Sequence, residues 1–511
     1  MKADNGDKKE FVLPVRSTVQ SEKTSQNIFF ESNGEHVLPD YMPMVEKLLR
    51  AESKVLPPSR YMAGGETQMS GNILHSLIYV GDEGEISATV LPSKYEFSVP
   101  YEDGAVLTSI IASPIIDSAN CRPSAPRKIN VRSKLRAQPR ASYEEDITPM
   151  LPSDDGLHML CGEIDTVTMK VLRAENVSVS ENVEIEAPDE ARLIWCGANA
   201  AVTDVRVSEG GVQVRGDIYV KLLSVNGSEA RMHTKKIPFE EYLDGELSRK
   251  AMATASACVI STEASREQSG EALVDITLSI EAVVCVPSKS ETVFDAFSEK
   301  ADASVEYRKV TAARLLLCRS GVYNLGGSMP KNVLSGYSDM LDATGTAAVE
   351  EVTSENGKIT VNGRSNLQFI YKTAEGTFAS AEHALPFKIV LDCETPSGVD
   401  TSANAELVSV RTRSDGENII CDMEIALCLR AIERRECETV KSIDTAGAKA
   451  YAKSEYPLCL IYPQGESLWS LAKKYRVSPE KLAKVNSLSV EKGKYTSPEA
   501  IAGSKILMLQ F

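Results

Sequence analysis

A glycine inside an alternating apolar–polar run, answered by an aromatic residue about two dozen positions later, recurs three times in this chain and restricts its body to β architecture. The pairs are Gly71 with Phe97, Gly216 with Phe239, and Gly363 with Phe387. Val205 and Val352 stand at matching places before the second and third glycines. Around them the residues alternate with period two, as in Val212-Gln213-Val214-Arg215 and Ile359-Thr360-Val361-Asn362. That period marks strands with one buried face. Asn226-Gly227, Asn356-Gly357, Glu83-Gly84 and Glu375-Gly376 supply the positive φ that tight hairpins need. Each copy continues into a second half that ends in a longer alternating run, at 128–135, 273–280 and 422–429. The expected fold is mainly β: three repeated β-sandwich-like units over 36–140, 157–300 and 301–443. Chance similarity among strand–turn–strand segments is the competing explanation of the repeat.

Between and around these units the composition changes. Residues 1–35 are expected to form a flexible arm, and Tyr41–Ala51, with Met44, Leu48 and Leu49, a helix. The polar stretches 141–156 and 444–455 are expected as linkers. The tail, 456–511, has a different grammar. Leu458–Tyr462 is a strand-like run, and Leu468, Leu471, Ala472 and Tyr475 follow at helical spacing. Ser478-Pro479-Glu480 opens a second helix with a hydroxyl cap, a proline at the first helical position and an acid at the positive end of the helix dipole. Gly503–Leu509 reads as a closing strand, which gives a small βααβ unit.

This tail resembles a LysM module. The residues that carry the resemblance are Gly465-Glu466-Ser467-Leu468-Trp469, Ala472, Tyr475, Val477, Leu482, Asn486, Leu488, Gly503 and Ile506/Leu507. Glu466 stands where the family usually has Asp, and Pro463-Gln464 inverts the usual order. The resemblance implies a shallow groove between Gln464, Gly465, Glu466, Ser467, Leu468 and Trp469 on one lip and Asn486, Ser487 and Leu488 on the other. Such a groove binds N-acetylglucosamine polymers or docks a protein. Trp469 has two readings: a side chain pinned in the module's interior, or an exposed anchor for a partner.

Three β units followed by this module resemble the SipL-type spore-coat morphogenetic proteins, whose repeated domain is called SPOCS. The repeat marks above and Arg127-Lys128-Ile129-Asn130-Val131-Arg132 carry that resemblance. It implies a scaffold or adaptor in endospore coat assembly, on the mother-cell side of the forespore, whose LysM module docks onto a coat-scaffold ATPase of the SpoIVA type. Cell-wall binding through an N-acetylglucosamine-containing glycan is the alternative.

Charge and chemistry narrow the classes further. The net charge is −16, and the tail carries eight Lys/Arg against four Glu, so the body is strongly acidic. An acidic body argues against nucleic-acid binding. The N-terminus has no apolar signal-peptide core and no run is long enough to span a membrane, so a cytoplasmic location is expected. The eleven cysteines form no Cys-x-x-Cys pair, and those in apolar runs read as buried thiols. Five scattered histidines and the acidic pairs Glu144-Glu145, Asp154-Asp155 and Glu240-Glu241 show no catalytic or metal-ligand spacing. No enzyme activity, cofactor, catalytic residue or metal site is expected.

Overall fold

The computed structural model describes residues 16–101, 106–152, 156–188, 190–267, 270–396, 398–445, 458–462, 465–488 and 507–510. The second unit shows the repeated plan most plainly. Its strands are β11 (Leu157–Glu184), β12 (Arg192–Ser208), β13 (Gly211–Asn226), β14 (Glu229–Asp244), β15 (Met252–Arg266) and β16 (Glu271–Ser298). They form two antiparallel sheets, ordered β11-β16-β15 and β12-β13-β14. Val214, Ile218 and Leu222 from one sheet meet Ile276, Leu278 and Ile280 from the other. The third unit repeats the plan with β17 (Ser304–Pro330), β18 (Tyr337–Glu355), β19 (Lys358–Thr373), β20 (Phe378–Asp392), β21 (Val399–Asp415) and β22 (Asn418–Asp444), in sheets β17-β22-β21 and β18-β19-β20.

The first unit builds the same pattern from interrupted strands. These are β1 (Thr18–Thr24), β2 (Ile28–Val37), β3 (Val45–Val55), β4 (Ser59–Ala63), β5 (Glu66–Gly81), β6 (Ile86–Pro100), β7 (Val106–Ile111), β8 (Ile115–Ala125), β9 (Lys128–Ala137) and β10 (Arg140–Asp146). β3 and β4 lie in line along one side of β5, with β6 on the other. The second sheet is split into β2-β9-β8 and β1-β10-β7.

The repeated glycines have a common steric cause. Gly216 pairs with Phe239 and Gly363 with Phe387 across the hairpin. A Cβ on Gly363 would lie 2.3 Å from the Phe387 ring and 2.4 Å from the Ala348 carbonyl oxygen. The aromatic ring covers the bare backbone, a device that pins register. In the first unit the partner of Gly71 is Tyr95, whose hydroxyl occupies the Cβ position. The expected mark at Phe97 is two residues too far along, although Phe97 is buried on the same face.

Three expectations change at the N-terminal side. Tyr41–Ala51 is not a helix: Val45–Val55 is strand β3, with register shifts at Val45/Lys47 and Leu48/Arg50. Those bulges displace the alternation and mimic helical spacing. The arm expected over 1–35 holds strands β1 and β2 from Thr18 onward, where Val19 and Ser32 alone are deeply buried. The linker expected over 141–156 begins as strand β10, whose Ala141, Ser142 and Tyr143 are buried between β1 and β7. β1 and β2 are edge strands and need few apolar residues, whereas β10 is central but short and fills its buried positions with Ala, Ser and Tyr, so all three sequences read as polar.

The three units close on one another through equivalent positions. Arg50, Trp195 and Asp342 each follow a bulge in β3, β12 and β18, and pair with Ile78, Leu223 and Ile370. The latter three are fully buried in one shared cluster. Ser76 of the first unit accepts a 2.7 Å hydrogen bond from Trp195 Nε1 of the second. Lys221 of the second donates at 2.7 Å to Asp342 of the third. Asp342 in turn pairs with Arg50 of the first, whose guanidinium lies 5.2 Å from the Trp195 ring centre. Burial pushes the Asp342 carboxyl up, but Lys221 and Arg50 outweigh it and pull its pKa down to about 2.

Candidate binding site on the C-terminal module

The tail folds as its sequence suggests. β23 (Leu458–Ile461) pairs antiparallel with β24 (Leu507–Gln510), and α1 (Leu468–Tyr475) and α2 (Pro479–Val485) lie between them in the chain. Ser467 caps α1 by accepting from the Ser470 amide at 3.1 Å. Ser478 caps α2 by accepting from the Lys481 amide, and Pro479 occupies its first turn. Leu468, Leu471, Ala472, Val477 and Leu482 form the interior.

The expected groove residues separate into two sets. Gln464 lies outside the described residues. Leu468 is fully buried and is a core side chain. Gly465, at φ 88°, is exposed, and Glu466 and Ser467 are half-buried on the first lip. On the second, Asn486 donates its side-chain amide to the Leu482 carbonyl at 2.8 Å, Ser487 is exposed at φ 52°, and the Leu488 amide donates to the Ala483 carbonyl. Tyr462, just before the first lip, is exposed as well.

Trp469 resolves differently from either simple reading. It is only 5% exposed, and what covers it is the chain's own second unit. Its ring meets Phe297 edge-on at 5.2 Å, and its Nε1–H donates to Asp295 at 2.8 Å. Lys473, one turn later, donates to both oxygens of Asp295 at 2.7 and 2.8 Å. The Tyr307 hydroxyl donates to the same carboxylate at 2.8 Å. Burial raises the Asp295 carboxyl, but these hydrogen bonds from Lys473, Trp469 and Tyr307 outweigh it and hold its pKa below the ordinary value.

Arg476 extends this fastening. It sits at the C-cap of α1 in the left-handed region, φ 54°, where glycine is usual. Its guanidinium reaches the carbonyls of Ser298 and Ala301 at 3.3 and 3.2 Å and the Asp302 carboxylate at 2.7 Å. Lys481 lies 3.7 Å from Glu299, which also accepts from His158 at 2.6 Å. A basic helix face thus meets an acidic strand end: Asp295, Glu299 and Asp302 face Lys473, Arg476 and Lys481. Sequence reasoning missed the body half of this contact. Its only local signal is the Phe294-Asp295-Ala296-Phe297 run, which nothing in the sequence ties to the tail.

Among the described residues no cluster of three or more His, Cys, Asp and Glu is placed to hold a metal ion. No helix there is long and apolar enough to cross a membrane. Of the acidic pairs singled out in the sequence, Asp154-Asp155 lies outside the described residues; in the other two, Glu145 accepts from Ser21 and Glu240 pairs with Arg215.

A family model described as LysM domain matches residues 464–492. No curated protein and no solved structure matches the chain. The tail is therefore a LysM domain carried on a repeated β body, which supports a role in glycan binding or as an adaptor.

Proposed function

We propose that this chain is a non-enzymatic adaptor of endospore coat assembly, held on the mother-cell side of the forespore. The three β units are its scaffold, and the LysM rim docks onto a coat-scaffold protein of the SpoIVA type. The coat setting and the partner rest on the family resemblance of the repeats and tail. The observation that supports the docking role is the division of the module into two faces. The face of Trp469, Lys473 and Arg476 is fastened to the body. Gly465 and Ser487 stay exposed on the rim. A rim held in fixed orientation needs less ordering on capture than a tethered one, which favours affinity.

The second reading is recognition of N-acetylglucosamine polymers by the same rim, favoured by the LysM match itself. Backbone amides beside a glycine suit acetamido groups without any catalytic step. The test offers the full chain two baits in parallel, a purified coat-scaffold ATPase and chitin beads. Capture by the ATPase with none on chitin is the expected result. Retention on chitin without capture by the ATPase would replace the first reading with the second.

A further inference from the structure

We propose that the cavity where the three units meet is a binding site for a small zwitterion with an apolar body, such as an apolar amino acid or a short peptide. The cavity holds about 330 Å³ and is walled by β3 and β6 of the first unit, β12 and β15 of the second, and Thr344 and Val408 of the third. That places it at the low end of small-molecule sites.

Its polar groups carry the argument. Glu52 and Lys54 are two residues apart on β3 and so project from the same face of the strand, and both line the cavity. Both are half-buried. They form no ion pair with each other. Glu52 has no hydrogen bond or salt bridge among the described residues, and Lys54 makes one long contact, 3.5 Å to the Ala198 carbonyl. A carboxylate and an ammonium with this much unused bonding capacity can both take up a ligand's charges. By contrast, the neighbouring charges Arg50 and Lys221 are committed to Asp342. Glu406 of the third unit is close enough to feel both Glu52 and Lys54.

The rest of the wall is apolar. Val90 lines the cavity with 46% of its surface open, beside Leu74, Val259, Val408 and the Trp195 ring. Glu52, Ser76 and Val90 form one cross-strand row of the β3-β5-β6 sheet, so an ammonium set against Glu52 and a carboxylate against Lys54 leave an apolar side chain within reach of Val90. Gly197, where a Cβ would strike the Trp195 ring at 2.3 Å, helps keep the space open.

The full chain is titrated calorimetrically with L-phenylalanine, N-acetyl-L-phenylalanine and L-phenylalaninamide as probes. Saturable binding of the zwitterion is expected, with each blocked probe weaker by about tenfold, the worth of one charge-assisted hydrogen bond. Glu52→Gln should weaken phenylalanine about tenfold and leave the N-acetyl probe unchanged; Lys54→Met should weaken phenylalanine about tenfold and leave the amide unchanged. Val90→Trp, which fills the space, should abolish all binding. Equal affinity for the three probes overturns the proposal, as does no saturable heat up to about 10 mM or undiminished binding to the Val90→Trp protein.

Discussion

Replacing Asp295 by alanine tests the fastening of the LysM module in quantitative terms. The carboxylate accepts from Trp469, Lys473 and Tyr307 at 2.7–2.8 Å. The Lys473 and Tyr307 side chains are both about two-fifths exposed, so water takes over most of their bonding, and each loss is worth at most ~1 kcal/mol. The Trp469 N–H is different. It is covered by Phe297 and the strand end, and without an acceptor it carries a desolvation cost of about 1–3 kcal/mol. Together the change should shift docking by about 3 kcal/mol, roughly two orders of magnitude in the docked-to-released ratio. Asp295→Asn keeps its one oxygen as acceptor for the Trp469 N–H, and its NH2 can donate to the Tyr307 hydroxyl in place of accepting from it, so its cost should be about 1 kcal/mol. Amide hydrogen exchange in 294–299 and in α1, read with tryptophan emission, reports the release. Faster exchange and a red-shifted Trp469 are expected for the alanine protein, with the module itself still folded. Unchanged protection, or an asparagine protein as disturbed as the alanine one, would refute the reasoning.

Other consequences follow from the same geometry. Asp342→Asn leaves Arg50, whose side chain is 1% exposed, without its counter-charge, and should cost about 3–5 kcal/mol in denaturant unfolding. Gly363→Ala drives a Cβ against the Ala348 carbonyl and the Phe387 ring, so a loss of about 1–3 kcal/mol or more should appear in urea unfolding. His75 is fully buried between the Ser53 and Ser93 hydroxyls, each at 2.7 Å, and burial lowers its pKa to about 4. The folded state keeps the ring neutral while the unfolded chain takes a proton near pH 6.5. Stability should therefore be complete above that pH and fall by up to about 1.4 kcal/mol per pH unit toward pH 4, a slope that His75→Gln should flatten. The depressed Asp342 carboxyl adds a second loss only below the ordinary carboxylate pKa, on the way down to about 2.

The parts legible in the sequence are those fixed by local chemistry. Ser467, Ser478 and Pro479 announce the helix starts because capping acts within one turn. The Asn356-Gly357 turn, with φ 53° and 74°, announces its hairpin for the same reason. Gly216 and Gly363 mark the repeat because one aromatic ring lies over each. What stayed hidden depends on distant partners or on irregular strands. The bulges in β3 scrambled the period that should have identified it. Polar β1 and β10 were unreadable because their burial comes from neighbouring strands far along the chain. Trp469 looked ambiguous because its acceptor, Asp295, lies 174 positions away. The meeting of Arg50, Trp195 and Asp342 was equally out of reach: each occupies the same place in its own unit, yet they share no residue type.

The adaptor reading requires that recognition occur on the rim and not on the fastened helix face. The direct measurement is the affinity of the full chain for the purified coat-scaffold ATPase after Glu466→Lys and Ser487→Lys, two rim changes that leave the module's core in place. A loss of tenfold or more, about 1.4 kcal/mol, is predicted for the double variant, with Glu240→Gln on the β12-β13-β14 sheet of the body binding as the parent does. Unaltered capture by the rim variant would contradict the account.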